Sequence, residues 1–315
     1  MTTHLGIHGS VERIFPPSLL RSRLVDGDDA PDADADLTVS VVDDDFDGID
    51  ALVTFGYDPA VLDSDVEWIH VVRAGYDEFP VETLRDDGIS LTNSTGLHGA
   101  SVGETTVGYF LQFARGLHRY RSDQREKEWN PPAWDETFTL EGETVCVVGL
   151  GTLGRGIARR ADALGMSVVG VRRTPTPVDH VETRYGPADL HEAVEDARFV
   201  VLAVPLTDDT EGMFGAVELD AMREDAYLVN VARGPVADQS ALVSALRDDA
   251  IAGAALDVFE EEPLPEESPL WAFENVVVTP HASAARSDYP DRIAELVGEN
   301  VRRFERGESL ANQVV

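Results

Sequence analysis

One stretch limits the fold more than any other. Gly149-Leu150-Gly151-Thr152-Leu153-Gly154 is a G-x-G-x-x-G run that directly follows the apolar residues 144–148. The residues after it read as a helix, with Leu153, Ile157, Ala161 and Leu164 on one face. A strand, a glycine turn and a helix in that order form the dinucleotide-binding fingerprint, which the six letters alone do not. The first glycine permits the tight turn, the second lets a pyrophosphate reach the backbone, and the third lets helix pack on strand. The helix start then offers unpaired N–H groups and a positive dipole end to the phosphates.

Further apolar runs at 167–171, 199–204, 227–231, 252–256 and 276–279 alternate with helical patterns. Six parallel strands with intervening helices predict a doubly wound α/β sheet. The first third shows the same alternation, with strands expected at 5–8, 39–42, 51–54, 68–72 and, more weakly, 89–92. Residues 26–36 lack apolar periodicity and read as a surface loop. Residues 104–120 read as one helix, with Val107, Phe110, Leu111 and Ala114 on one face. A long loop containing Trp129 and Pro131-Pro132 follows. A last helix is expected at 285–304 from the spacing of Ile293, Leu296, Val297, Val301 and Phe304. The 315 residues suit two domains of roughly 100–200 residues each.

Charge narrows the partners. With 59 acidic against 25 basic residues the net charge is −34, which argues against nucleic-acid binding. Lys127 is the only lysine. Self-repulsion on this scale fades where molar salt cuts the screening length to ~3 Å, so a salt-filled, haloarchaeal cytosol is expected. Cys146 stands alone in an apolar run and reads as core. No run reaches the ~18 apolar residues of a membrane span, and the first residues lack a basic-then-apolar leader. A cytoplasmic protein is expected.

The second strand of the sheet ends in Val171-Arg172-Arg173-Thr174. An NAD site places Asp or Glu about 20 residues past the first glycine, to hold the ribose 2′-hydroxyl. Here Arg172 and Arg173 occupy that place, with Thr174 beside them. Two guanidiniums and a hydroxyl would bind a 2′-phosphate. NADP(H) is therefore the expected cofactor, with NAD(H) as the alternative.

Several further motifs occur in one order: Arg73-Ala74-Gly75-Tyr76-Asp77, the Gly149 loop, Val204-Pro205-Leu206-Thr207 with Thr210, Val231-Ala232-Arg233-Gly234, Leu256-Asp257-Val258-Phe259-Glu260-Glu261-Glu262-Pro263, and Thr279-Pro280-His281. In this register the chain resembles the D-isomer-specific 2-hydroxyacid dehydrogenases, and among them a glyoxylate/hydroxypyruvate reductase-like branch. The resemblance implies a Rossmann cofactor domain, residues 98–284, inserted into a smaller flavodoxin-like substrate domain, residues 1–97 and 285–315, with a cleft between them and a homodimer built through the cofactor domain.

It also assigns roles. Arg233, Glu262 and His281 fall on the family's catalytic positions. Arg233 would grip the carboxylate of a 2-oxo acid and polarise its carbonyl. His281 would exchange the proton with the carbonyl oxygen, and Glu262 would orient the imidazole and favour its charged form. Asp257 would hold the nicotinamide amide. Val204, Pro205, Thr210, Val231 and Ala232 would line the cofactor, together with Arg233 and His281. Arg73, Ala74, Gly75 and Tyr76 would face the substrate, chiefly through the N–H groups around Ala74 and Gly75. Tyr76 and Tyr289 are candidates for the side-chain pocket. Small unphosphorylated 2-oxo acids such as glyoxylate, hydroxypyruvate, pyruvate or a branched-chain analogue are the expected substrates.

Two other readings compete. Gly99-Ala100-Ser101-Val102-Gly103 fits G-x-S-x-G, and Ser101, Asp257 and His281 follow a hydrolase order. However, no strand ends just before Ser101, and that reading leaves the Gly149 loop unused. The second is a non-catalytic dinucleotide-sensing regulator on the same fold. The other histidines show no metal-type spacing, so no metal site is expected.

Overall fold

The structure is a computed structural model that describes residues 2–27, 37–174 and 176–315. Its elements run β1 (Thr3–His8), α1 (Pro17–Asp26), β2 (Leu37–Val42), β3 (Ala51–Thr54), β4 (Trp68–Val71), α2 (Val81–Asp86), β5 (Ser90–Asn93), α3 (Gly99–Ala114) and α4 (Leu117–Glu126). They continue with β6 (Thr144–Val148), α5 (Thr152–Ala163), β7 (Ser167–Val171), β8 (Thr183–Tyr185), α6 (Leu190–Val194), β9 (Phe199–Leu202), α7 (Ala216–Asp220), β10 (Tyr227–Asn230), α8 (Gln239–Arg247), β11 (Gly253–Leu256), β12 (Val276–Val278) and α9 (Tyr289–Glu305). The chain divides into two compact units, Met1–Leu97 with Arg286–Val315, and His98–Ala285.

The first unit holds a parallel sheet in the order β2-β1-β3-β4-β5, the flavodoxin-like order. Strands covered on both faces are predominantly apolar, and β3 and β4 are buried throughout, apolar but for Thr54 and His70. On one face Leu5, Ile7 and Trp68 pack with Leu20 and Leu24 of α1 and with Ile293, Val297 and Val301 of α9. On the other, Leu52, Ile69 and Leu91 pack with Leu84 of α2. A polar chain runs through this interior. Trp68 Nε1 donates to Thr92 Oγ1 at 2.8 Å, and the His70 ring bonds Thr92 Oγ1 at 2.9 Å and Ser94 Oγ at 3.2 Å. Burial of His70 pushes its pKa down to about 3.

The second unit holds seven parallel strands in the order β12-β11-β10-β9-β6-β7-β8. The winding reverses between β6 and β9, the position where such sheets open a crevice beyond the strand ends. Helices α3 and α5 cover one face, where Val102, Phe110 and Ile157 meet Val145, Val147 and Val229. On the other face Val194, Leu219 and Leu242 meet Cys146, Val200 and Leu228. Cys146 is fully buried, as its apolar run implies.

Several elements differ from the sequence expectation. The helix expected over 104–120 begins earlier and is cut in two, because Gly116 adopts φ +63° between α3 and α4. The last helix starts at Tyr289 rather than 285. Pro290 suits a first turn, but inside a longer helix it would lack the N–H needed for the ladder. A seventh strand, β8, adds to the sheet edge. Of the loop expected over 26–36, Asp26 ends α1, and residues 28–36 lie outside the described residues.

Candidate active site

The phosphate loop follows β6 at the winding reversal. Gly149 takes φ +99°, and a Cβ there would meet Ala203 O at 2.6 Å. A Cβ on Gly154 would meet Gly149 O at 1.9 Å, whereas one on Gly151 would project into open space. The first and third glycines therefore close the turn, and the second keeps an approach clear, the cradle that a pyrophosphate requires. Thr152 and Leu153 open α5, whose buried face is Gly154, Ile157, Ala158 and Ala161. Leu164 lies past the helix end and is exposed.

Gly149 N–H donates to Val171 O at 2.8 Å, so the loop abuts the end of β7. Arg172, Arg173 and Thr174 follow at that rim. Among the described residues neither guanidinium pairs with a carboxylate.

An imidazole–carboxylate pair is assembled beyond the ends of β11 and β12. His281 Nδ1 lies 2.9 Å from Glu262 Oε2, so the proton on that nitrogen points to the carboxylate. Glu262 Oε1 in turn accepts from Phe259 N–H at 3.1 Å. Both side chains are partly exposed, 48% for His281 and 37% for Glu262. His281 itself has φ +50°, a left-handed conformation that costs energy unless its surroundings enforce it.

Asp257 supplies the enforcement. Among the described residues it is the only buried carboxylate. Its oxygens accept from Thr279 Oγ1 at 2.6 Å, Ala282 N–H at 2.8 Å and Ser283 N–H at 2.9 Å, while its own carbonyl accepts from His281 N–H at 2.9 Å. Since the Thr279 proton is spent on Asp257, Tyr109 must be the donor in its 2.6 Å contact with Thr279 Oγ1. Burial foremost raises the Tyr109 phenol to about 12, so it keeps that proton.

Arg233 follows β10, the neighbour of β11. Asn230, buried, pins the turn by donating to Arg233 O at 3.1 Å and accepting from Ala232 N–H at 3.0 Å. A Cβ on Gly234 would meet Phe259 O at 1.8 Å, so only glycine lets the Arg233 turn lie against the segment leading to Glu262. Val231 and Ala232 are buried beneath it. Residues 204–210 form a loop after β9. Thr210 Oγ1 ties it by donating to Pro205 O at 2.6 Å and accepting from Thr207 N–H at 2.8 Å, with Val204 packed on the core.

In the first unit the Arg73 guanidinium is engaged locally. It pairs with Glu78, donates to Phe55 O at 2.9 Å and lies 4.7 Å over the Phe55 ring. Asn93 Nδ2 donates to Ala74 O at 2.8 Å and steadies the loop, whose N–H groups at Ala74 and Gly75 meet no protein acceptor among the described residues. Tyr76 is exposed, but Tyr289 is not a pocket residue. It is 5% exposed and donates to Val72 O at 2.6 Å inside the first unit. Ser101 lies within α3 with its hydroxyl on the carbonyls of His98 and Ala284, so the hydrolase arrangement does not form.

Sequence reading did not single out Asn230, Tyr109 or Thr279 as functional. Asn230 ends a strand two residues before the arginine turn, and a polar side chain there was the available signal. Nothing local marked Tyr109, which lies 170 residues from Thr279.

A family profile described as "D-isomer specific 2-hydroxyacid dehydrogenase, NAD binding domain" matches residues 107–283. A glyoxylate reductase of Korarchaeum cryptofilum is 37% identical over 283 residues, covering 84% of this chain and 83% of that one. Among solved structures, a D-isomer specific 2-hydroxyacid dehydrogenase from Xanthobacter autotrophicus Py2, in complex with NADPH and MES, is 30% identical with a TM-score of 0.84, over 100% of this chain and 98% of that one. An NADPH-dependent glyoxylate/hydroxypyruvate reductase from Sinorhizobium meliloti, in complex with NADP and sulfate, is 26% identical with a TM-score of 0.80, over 99% and 98% of the two chains.

Proposed function

Because this chain belongs to the D-isomer specific 2-hydroxyacid dehydrogenase family, we propose that it reduces a small unphosphorylated 2-oxo acid to the D-2-hydroxy acid, with NADPH preferred over NADH. The reading rests above all on the His281–Glu262 pair, held in a left-handed turn by Asp257 at the same sheet rim as the glycine loop.

Gly149, Gly151, Thr152, Leu153 and Gly154 hold the dinucleotide pyrophosphate, and Arg172, Arg173 and Thr174 hold the 2′-phosphate. Val204, Pro205, Thr210, Val231 and Ala232 line the cofactor. The bound dinucleotide supplies the hydride. Arg233 binds the substrate carboxylate and draws electron density from the carbonyl. With Nδ1 committed to Glu262, His281 delivers its proton from Nε2 to the carbonyl oxygen, and takes it back in the reverse direction. Asp257 combines the shaping of that turn with a hydrogen bond to the nicotinamide amide. In the first unit the N–H groups of Ala74 and Gly75, in the loop from Arg73 to Tyr76, bind substrate carboxylate.

Initial rates of NADPH and NADH oxidation in molar KCl, against glyoxylate, hydroxypyruvate, pyruvate and a branched-chain analogue, test the reading. Replacing Arg172 and Arg173 together with alanine is expected to raise KM for NADPH roughly 10-fold or more, the worth of one or two charged hydrogen bonds, with KM for NADH little changed. Equal effects on both cofactors would overturn the NADPH assignment. Dinucleotide binding without turnover on any oxo acid would favour a regulator.

The chain also acts as a cytoplasmic homodimer at high salt. No helix among the described residues is long and apolar enough to cross a membrane. Trp129 and Trp134, on one loop of the second unit, are 94% and 93% exposed, an apolar display that suits a subunit interface. Light scattering after size exclusion in molar KCl is expected to give twice the chain mass, falling to one chain when both are changed to serine. A wild-type monomer would refute this.

A further inference from the structure

A second cluster of chemistry-bearing groups lies in the first unit. His8 ends β1, the strand at which the winding of that sheet reverses. Asp44 follows β2 and Asp58 follows β3, the strands on either side of β1. One ligand atom from each residue lies within 4.8 Å of the other two. The crevice outside the strand ends at a reversal is where open parallel sheets take their ligands.

Hydrogen-bond bookkeeping shows which imidazole nitrogen turns toward the carboxylates. The Gly56 carbonyl can only accept, so the Thr54 hydroxyl proton goes to it at 2.7 Å. Thr54 Oγ1 then accepts from Ser10 Oγ at 3.2 Å. With its proton used there, Ser10 Oγ accepts from Phe55 N–H at 3.2 Å and from His8 Nδ1 at 2.7 Å. Nδ1 therefore carries a proton, and in the neutral ring Nε2 presents its lone pair 3.8 Å from Asp44 Oδ1. An imidazole lone pair and two carboxylates, all acceptors, converge on one point. A bound cation satisfies all three at once, whereas a proton on Nε2 would serve Asp44 alone. Ordering a ligating histidine through its other ring nitrogen is the usual second layer of a metal centre.

We propose that His8 Nε2, Asp44 and Asp58 bind a divalent transition-metal ion of the zinc class. One imidazole with two carboxylates suits such an ion better than magnesium, which favours oxygen ligands alone. A tetrahedral zinc site with bonds near 2.1 Å spaces its ligand atoms about 3.4 Å apart. Asp44, with its side chain 90% exposed, is free to close the small remaining distance. Asp58 spends one oxygen on the N–H of Ala60 at 2.9 Å and keeps the other for the ion. Three protein ligands leave a further position for water, and the ion would tie three adjacent strand ends together.

The test is calorimetric titration of the EDTA-stripped full-length protein with zinc chloride in molar KCl. Saturable binding of one ion per chain is expected, undisturbed by excess magnesium. Asp44→Asn and Asp58→Asn, which keep shape and the Ala60 contact, should each weaken it at least 10-fold. Ser10→Ala removes no ligand but frees the ring, and is expected to weaken binding roughly 10–100-fold. Asp45→Asn, just outside the cluster, should leave it unchanged. Absence of saturable binding, or binding indifferent to the Asp44, Asp58 and Ser10 changes, would overturn the assignment.

Discussion

Replacing His281 with alanine is expected to lower kcat for 2-oxo acid reduction by roughly 10²–10⁴, the usual worth of a positioned general acid, with a smaller change in KM. The expectation follows from commitment of the ring. Nδ1 is held by Glu262 Oε2 at 2.9 Å, which leaves Nε2 as the nitrogen open to a substrate. Glu262→Gln keeps the shape of the partner but removes its charge, and is expected to lower kcat as well. If the alanine variant turned over at the wild-type rate, His281 would be excluded from proton transfer. Loss of dinucleotide binding in the same variant would instead point to a collapsed turn, and fluorescence titration with NADPH separates the two outcomes.

The largest expected effect on stability comes from His70. Its folded pKa of about 3 lies below the ordinary 6.5. The unfolded chain therefore binds the extra proton first as pH falls. Stability from this group is complete above about pH 6.5, and is lost progressively as pH drops toward 3, amounting to roughly 4–5 kcal/mol across the window. Urea unfolding of the first unit, followed through the emission of buried Trp68, is expected to show midpoints falling steeply below pH 6. In His70→Asn the midpoint at pH 7.5 should be lower, because the bonds to Thr92 and Ser94 are altered, but its decline with acid should be flatter. Parallel declines in the two proteins would show that other groups govern acid unfolding.

The parts visible in the sequence and the parts hidden there have physical causes. Parallel strands covered on both faces are predominantly apolar, so β6, β9 and β10 stand out as short, nearly unbroken runs. The glycine loop was legible because its turn, its clear approach and its helix start all demand particular residues. β8 was not, since Thr183-Arg184-Tyr185 at a sheet edge carries no apolar signature. The break at Gly116 was hidden inside a pattern that stayed helical on both sides. Tyr289 misled because it stands eight residues after His281, and sequence proximity says nothing about which core a side chain enters. Motif order placed His281 and Glu262 together, yet it could not reveal the Tyr109–Thr279–Asp257 chain that shapes their turn. Those hydrogen bonds join residues from three distant parts of the chain.

The burial of Asp257 separates two kinds of acidity in this protein. Every other described carboxylate touches solvent to some degree, so the surplus of negative charge belongs almost wholly to the outer skin. Adjustment to a saltier or fresher medium can therefore proceed by exchanging skin residues one at a time. The turn that presents His281 is insulated from such drift. The geometry of that turn and the charge of the surface can then vary along independent routes.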